Sequence, residues 1–240
     1  MGNKTTIDYI TTASLGSLED FGDLRTQTHM GSKNLGAANN LTYGAYFGGY
    51  QGSSGGYSND IEYISIASTG NTQAWGELDT NGYECGGGSN EPRGIRFGGN
   101  GPASVVEFWA WASTGDAGSF GSMTAAAAPA FNAAASATRC VTAGGTDGSG
   151  KVDRMEFITV DTEATAETFG DLAEGNYDLS ACSNGTRSEF WGGLIHYGGY
   201  PSRISTDRIQ YITVDTESGA TDQGNLTDEI NSLASGQGSA

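Results

Sequence analysis

Ile61-Glu62-Tyr63-Ile64-Ser65-Ile66, followed by Trp75-Gly76-Glu77-Leu78, decides the fold, because near-copies of both recur along the whole chain. The first part returns as Ile7-Asp8-Tyr9-Ile10, Val106-Glu107-Phe108-Trp109, Met155-Glu156-Phe157-Ile158 and Ile209-Gln210-Tyr211-Ile212. From the first residue of each copy, 14 positions lead to an aromatic-Gly pair: Phe21-Gly22, Trp75-Gly76, Phe120-Gly121 and Phe169-Gly170. Gln223-Gly224 is the one non-aromatic case. Equal spacing in five copies marks an internal repeat, with units starting near residues 7, 61, 106, 155 and 209.

The residue types fix what the unit is made of. Each Ile61-like stretch is dense in β-branched and aromatic residues and reads as a strand. A polar turn such as Ser68-Thr69-Gly70-Asn71 follows, then a short strand carrying aromatic-Gly-x-Leu. The other half of the unit ends in a glycine doublet, at Gly48-Gly49, Gly98-Gly99, Gly144-Gly145 and Gly192-Gly193. Five positions before each doublet stands Tyr43, Arg93, Arg139 or Arg187. Asn184-Gly185 between two apolar stretches predicts a tight hairpin there. The unit is therefore four short antiparallel strands, and the chain an all-β single domain over residues 1–240.

Four-strand units at this period match a propeller blade. Two apolar residues, Gly-Gly, a loop, a strand with an aromatic, then Trp or Phe before Leu resembles the kelch repeat, whose blades form β-propellers. The arginine here lies directly before the glycine-doublet strand, in Pro92-Arg93 or Gly185-Thr186-Arg187, which departs from the usual kelch position. With Ser183-Asn184-Gly185-Thr186-Arg187, this variant is similar to repeats in proteins of marine bacteriophages. The resemblance implies about five kelch-like blades and a virion component. Counting the repeat forward, the fifth glycine-doublet strand would fall just past Ala240. The closing blade is expected to be incomplete or shared between the termini. A three-stranded closing blade leads, ahead of a strand donated by a neighbouring subunit or a longer chain.

Composition excludes several functions. Glycine contributes 39 of 240 residues, which with only four prolines and no Gly-X-Y period rules out a collagen and fits turn-rich β structure. A formal charge of −17, from 28 acidic and 11 basic residues, repels phosphate backbones, so no nucleic-acid partner is expected. Cys85, Cys140 and Cys182 are too few and too scattered for a disulfide framework or a zinc site. No apolar run is long enough to span a bilayer, and no signal-like segment follows Met1. The expectation is assembly in a host cytoplasm, without membrane insertion or a cleavable signal.

Candidate sites are sought where the repeat is broken, since a residue present in every unit serves the unit. The tyrosine- and glycine-rich connections 50–57 and 194–203 supply Tyr50, Tyr57, His196, Tyr197, Tyr200 and Arg203 as candidate binding residues. Flat rings on loops give contact area at low entropic cost and suit glycans or proteins. The repeated Arg93, Arg139 and Arg187 are expected to pair with Glu62, Glu107 and Glu156 and to be structural. Asp147-Gly148-Ser149-Gly150-Lys151-Val152-Asp153 reads as a polar turn, because Lys151 occupies a would-be ligand position of a calcium loop. His29 and His196 are the only histidines, and no catalytic constellation, metal centre or cofactor site assembles. The expected function is a non-enzymatic bacteriophage virion structural protein on the tail, fibre or capsid. Its partners would be other virion proteins or a host surface receptor or glycan, with homo-oligomers allowed. A cytosolic kelch-like adaptor and a glycan hydrolase are the alternatives.

Overall fold

A computed structural model describes residues 5–11, 13, 16–25, 35–50, 56–99, 103–127, 133–195 and 204–230. All secondary structure there is antiparallel β, in five sheets that follow one another along the chain, and no helix occurs among the described residues. The first sheet has two strands, β1 (Thr6–Tyr9) and β2 (Glu19–Asp23). The second is β3 (Gly36–Asn39), β4 (Tyr43–Phe47), β5 (Asp60–Ser65) and β6 (Gln73–Glu77), hydrogen-bonded in that order. The third is β7 (Gly86–Ser89), β8 (Arg93–Phe97), β9 (Ala103–Ala110) and β10 (Gly118–Ala127). The fourth contains β11 (Ala134–Ala135), β12 (Arg139–Ala143), β13 (Arg154–Thr159) and β14 (Glu167–Asp171). The fifth contains β15 (Ser180–Ser183), β16 (Arg187–Trp191), β17 (Thr206–Thr213) and β18 (Thr221–Ile230). The four-strand reading of the unit therefore holds for units two to five.

The aromatic-Gly signature is a β-bulge. In every sheet the register between the last two strands slips at this point, between Met155 and Glu156 in the fourth, for instance. In the first four sheets the extra residue is the aromatic, which turns inward, with Trp75, Phe120 and Phe169 2–4% exposed, whereas in the fifth it is the exposed Gln223. Gly170 follows at φ 151 and lies so close to the fifth sheet that a Cβ would stand 2.3 Å from the Ser218 carbonyl oxygen. Only glycine meets both demands. The Asn-Gly hairpin is also present: Asn184 Oδ1 accepts the N–H groups of Thr186 and Arg187, and Gly185 takes φ 85.

The core lies between sheets rather than within one. Ile61, Trp75 and Leu78 of the second sheet pack with Trp109 and Trp111 of the third. Phe97, Phe120 and Met123 of the third join Ile158 and Val160 of the fourth. Met155, Phe169 and Leu172 of the fourth join Phe190, Ile212 and Val214 of the fifth. A single four-stranded sheet could bury neither face alone, so each is stabilised by its neighbours.

A polar pin crosses every one of these seams. Glu62 accepts the Arg25 N–H at 3.0 Å, Glu107 the Thr80 N–H at 3.0 Å, and Glu156 the Thr124 N–H at 3.0 Å. Gln210 does the same for Ala173 at 2.8 Å, which explains how an amide replaces the acid in the fifth unit. This corrects the expected arginine pairing. Glu62, Glu107 and Glu156 point toward the preceding sheet, whereas Arg93, Arg139 and Arg187 lie over Phe108, Phe157 and Tyr211 of the adjoining strand, 3.6–4.5 Å from the ring centroids. Their carboxylate partners are Glu163 at 3.3 Å, Glu217 at 2.7 Å and Glu189 at 3.9 Å. The first two belong to the turn of the following sheet, so these arginines are structural ties.

Candidate recognition surface

The glycine doublets stand where the second strand of each of the last four sheets ends. Gly49, Gly145 and Gly193 each donate an N–H to the carbonyl of Gly82, Asn176 or Ile230 at 2.7–2.8 Å. These bonds fasten the loop after each second strand to the end of the same unit's outer strand or the segment beyond it. Side chains on both loops are thereby held on one face.

On that face a tyrosine ledge forms. Tyr50 and Tyr57 pair across an isolated bridge with ring centroids 5.8 Å apart. Tyr57 then stacks on Tyr83, with centroids at 4.5 Å and planes at 12°. The stack joins the β4–β5 loop to the segment entering β7 and leaves Tyr57 36% exposed. Of the expected binding residues, Tyr50 and Tyr57 are brought together, while His196, Tyr197, Tyr200 and Arg203 lie outside the described residues. Tyr83 was missed because its sequence context, Asn81-Gly82-Tyr83-Glu84, reads only as a turn. A signal did exist: Tyr177 stands before β15 as Tyr83 stands before β7.

The two equivalent segments meet. The Tyr177 hydroxyl donates to Glu84 Oε2 at 2.7 Å, joining the fifth sheet to the third, and Lys151 Nζ sits 5.5 Å from the Tyr177 ring centroid. Glu84 and Asp178, each following its tyrosine, are the two non-glycine residues with left-handed backbone among the described residues, both at φ 57. Burial, reinforced by the bond to Glu84, pushes the Tyr177 phenol well above its ordinary range. Burial, the Glu84 charge and the contact with Tyr57 raise Tyr83 as well. Both hydroxyls stay protonated and serve as donors at neutral pH.

The other candidates resolve into structure. Asp147 Oδ1 accepts the N–H groups of Ser149 and Gly150 at 2.8 and 2.9 Å, which hold its carboxyl below the usual range and make the segment an Asx turn. Among the described residues no three potential metal-ligating side chains cluster. No known family model matches the chain, and no curated protein matches it.

Proposed function

We propose that the five sheets are successive blades of a kelch-like β-propeller and that the protein is a non-enzymatic recognition component of a bacteriophage virion, binding a host surface glycan through the tyrosine ledge. Propeller stacking is supported by the innermost strands, which are built of Gly, Ala and Ser with Asn39 and Cys182. Ser183 Oγ of β15 donates to the Ala135 carbonyl of β11 at 2.7 Å, and a Cβ on Gly87 of β7 would stand 2.0 Å from the Ala37 carbonyl oxygen of β3. Small side chains are what strands converging on one axis require.

The observation that carries the recognition reading is the Tyr57–Tyr83 stack beside Tyr50. Flat phenol rings offer C–H-rich sugar faces a rigid stacking platform, and their hydroxyls add hydrogen bonds at little entropic cost. The virion setting rests on the resemblance of the repeat to those of phage proteins. Two measurements test the proposal. Mass spectrometry of purified phage particles should find this chain in the particle, and its absence from them would end the virion reading. Tyr57→Ala should weaken binding of the purified protein to host cells or a glycan array by about tenfold or more. Retention of a host protein by the wild-type chain, with no glycan bound, would place it instead among protein-binding adaptors.

A further inference from the structure

The residue facing the seam pin from the neighbouring strand is neutral in three of the four-stranded sheets and charged in the other. Tyr46 stands opposite Glu62, Thr142 opposite Glu156 and Phe190 opposite Gln210, but Arg96 stands opposite Glu107. Arg96 is buried, and its Nη1 donates to Glu107 Oε2 at 2.7 Å and to Thr80, whose hydroxyl lies at 2.7 Å and carbonyl at 3.0 Å. Taking two charges out of water offsets most of what their attraction returns, and a well-packed neutral pair often serves stability as well. The fifth sheet does without these charges altogether. The ion pair of the third sheet points to a local need.

That need lies in the turn above it. Residues 79–85 lead into β7 and carry Tyr83 and Glu84, as residues 173–179 lead into β15 and carry Tyr177 and Asp178. Hydrogen bonds align the two turns, since Gly82 accepts the Gly49 N–H and Asn176 accepts the Gly145 N–H, both at 2.7 Å. In the fifth sheet the buried Asn176 side chain ties its own turn down, donating from Nδ2 to the Gly192 carbonyl at 2.8 Å. Gly82 has no side chain to do this. A Cβ built on it would stand 2.5 Å from Arg96 Nη2, so the guanidinium occupies the space beneath the turn that Asn176 fills itself.

The turn braced by Arg96 is the one on which the ledge is built. Tyr83 stacks on Tyr57, Asn81 Nδ2 donates to the Tyr57 carbonyl at 3.4 Å, and the Gly82 N–H donates to the Ser58 carbonyl at 3.0 Å. We infer that Arg96 is a positioning residue of the tyrosine ledge, its guanidinium bracing Thr80 and Gly82 from beneath and so setting Tyr83 against Tyr57. Glu107 supports the same turn, accepting the Thr80 N–H at 3.0 Å and hydroxyl at 3.1 Å while it neutralises the guanidinium. The inference rests on the recognition reading of the ledge and adds to it a residue that shapes the surface without touching the ligand.

The fifth sheet supplies the test. Arg96→Phe with Glu107→Gln copies its Phe190 and Gln210 and keeps an oxygen for the Thr80 N–H. This double variant should fold, with Tm within about 3 °C of wild type. Hydrogen exchange read by mass spectrometry should show the amides of residues 79–85 exchanging about tenfold faster, with those of residues 173–179 unchanged. Binding to intact host cells should fall about tenfold at the same time. Adding Gly82→Asn gives the turn the side chain that Asn176 uses, and should restore slow exchange and binding. Continued fast exchange in that triple variant would overturn the equivalence of Arg96 and Asn176. Arg96→Lys keeps a point charge for Glu107 but loses the fork, and should fall between wild type and the double variant in both readouts. Unchanged exchange at residues 79–85 in the double variant, or in Arg96→Lys where the double variant does not fold, would overturn the positioning role. A rise spread evenly over all sheets, the mark of lost stability alone, would overturn it too. Should the wild-type chain bind no host cell, the recognition reading falls, while the exchange comparison still decides whether Arg96 holds the turn.

Discussion

Leu172 and Leu226 hold the same position of the repeat, one in the fourth sheet and one in the fifth, and their surroundings differ completely. Leu172 is 4% exposed and packs with Ile212 and Val214, whereas Leu226 stays half-buried with no later sheet over it in the described structure. The same contrast separates Ile158 from Ile10 and Gly170 from Gly224. A repeat residue acquires its energetic role from the neighbouring unit, as expected of a quasi-one-dimensional stack in which stability is a sum of interfaces.

The largest effect should come from removing a side chain at the centre of a complete seam. Trp109 is 1% exposed and touches Phe47 and Trp111, with ring centroids at 5.2 and 5.5 Å. Trp109→Ala should cost about 4 kcal/mol in equilibrium denaturation. Its counterpart Ile10 is 51% exposed beside the first sheet, so Ile10→Ala should cost about 1 kcal/mol or less. Equal losses at the two positions would erase the distinction drawn between inner seams and outer faces.

The pins come next, and they differ among themselves. Glu107 also receives Arg96 Nη1 at 2.7 Å, in a salt bridge with both side chains 1–3% exposed, and Arg96 further bonds the Thr80 carbonyl at 3.0 Å. Glu107→Gln keeps an oxygen for the Thr80 N–H but strands a buried guanidinium, and should cost about 3 kcal/mol. Glu156 has a partner in Arg154 at 3.2 Å whose side chain is 24% exposed, and burial raises the Glu156 pKa despite that arginine. A carboxyl whose folded pKa lies above its unfolded value contributes stability that is full below the unfolded pKa and is lost as pH rises through the folded one. Glu156→Gln should therefore remove that decline and leave stability near neutral pH unchanged or higher, as the natural Gln210 pin suggests. A steeper loss in Glu156→Gln than in Glu107→Gln, read from urea titrations across pH 4–8, would refute this ranking.

Much of this organisation is legible in the residues themselves. Ile61 to Ile66 announces a strand by its β-branched density, and the constant step to Trp75-Gly76 betrays a unit before any pairing is known. The role of the aromatic-Gly pair is not legible, because the bulge and the carbonyl pressed against Gly170 come from an adjacent sheet. The arginine partners failed for the same reason: the register sets Glu107 opposite Arg96 rather than Arg93, and the Arg93 guanidinium lies on Phe108 and reaches Glu163 in a turn of the following sheet. At the candidate surface, Tyr50 and Tyr57 stand out by loop composition, while Tyr83 and Tyr177 gain meaning only once two turns are seen side by side.

The smallest effect belongs to the one contact that skips a sheet. Tyr177 and Glu84 join the fifth and third sheets by a single partly exposed hydrogen bond, which adds little beside the apolar seams. Its signature is a pH dependence. The unfolded tyrosine ionises near its ordinary value of about 10, while the folded phenol is held protonated to higher pH by burial and by donation to Glu84. Stability from this group is thus complete below pH 10 and falls as pH rises beyond it, toward the folded value. Tyr177→Phe removes the ionisable group from both states, so the variant should lose about 1 kcal/mol at neutral pH and decline less steeply than wild type between about pH 10 and 11. Parallel alkaline profiles for the two chains would mean that the phenol ionises as freely folded as unfolded, and that the third and fifth sheets are not held together at this face.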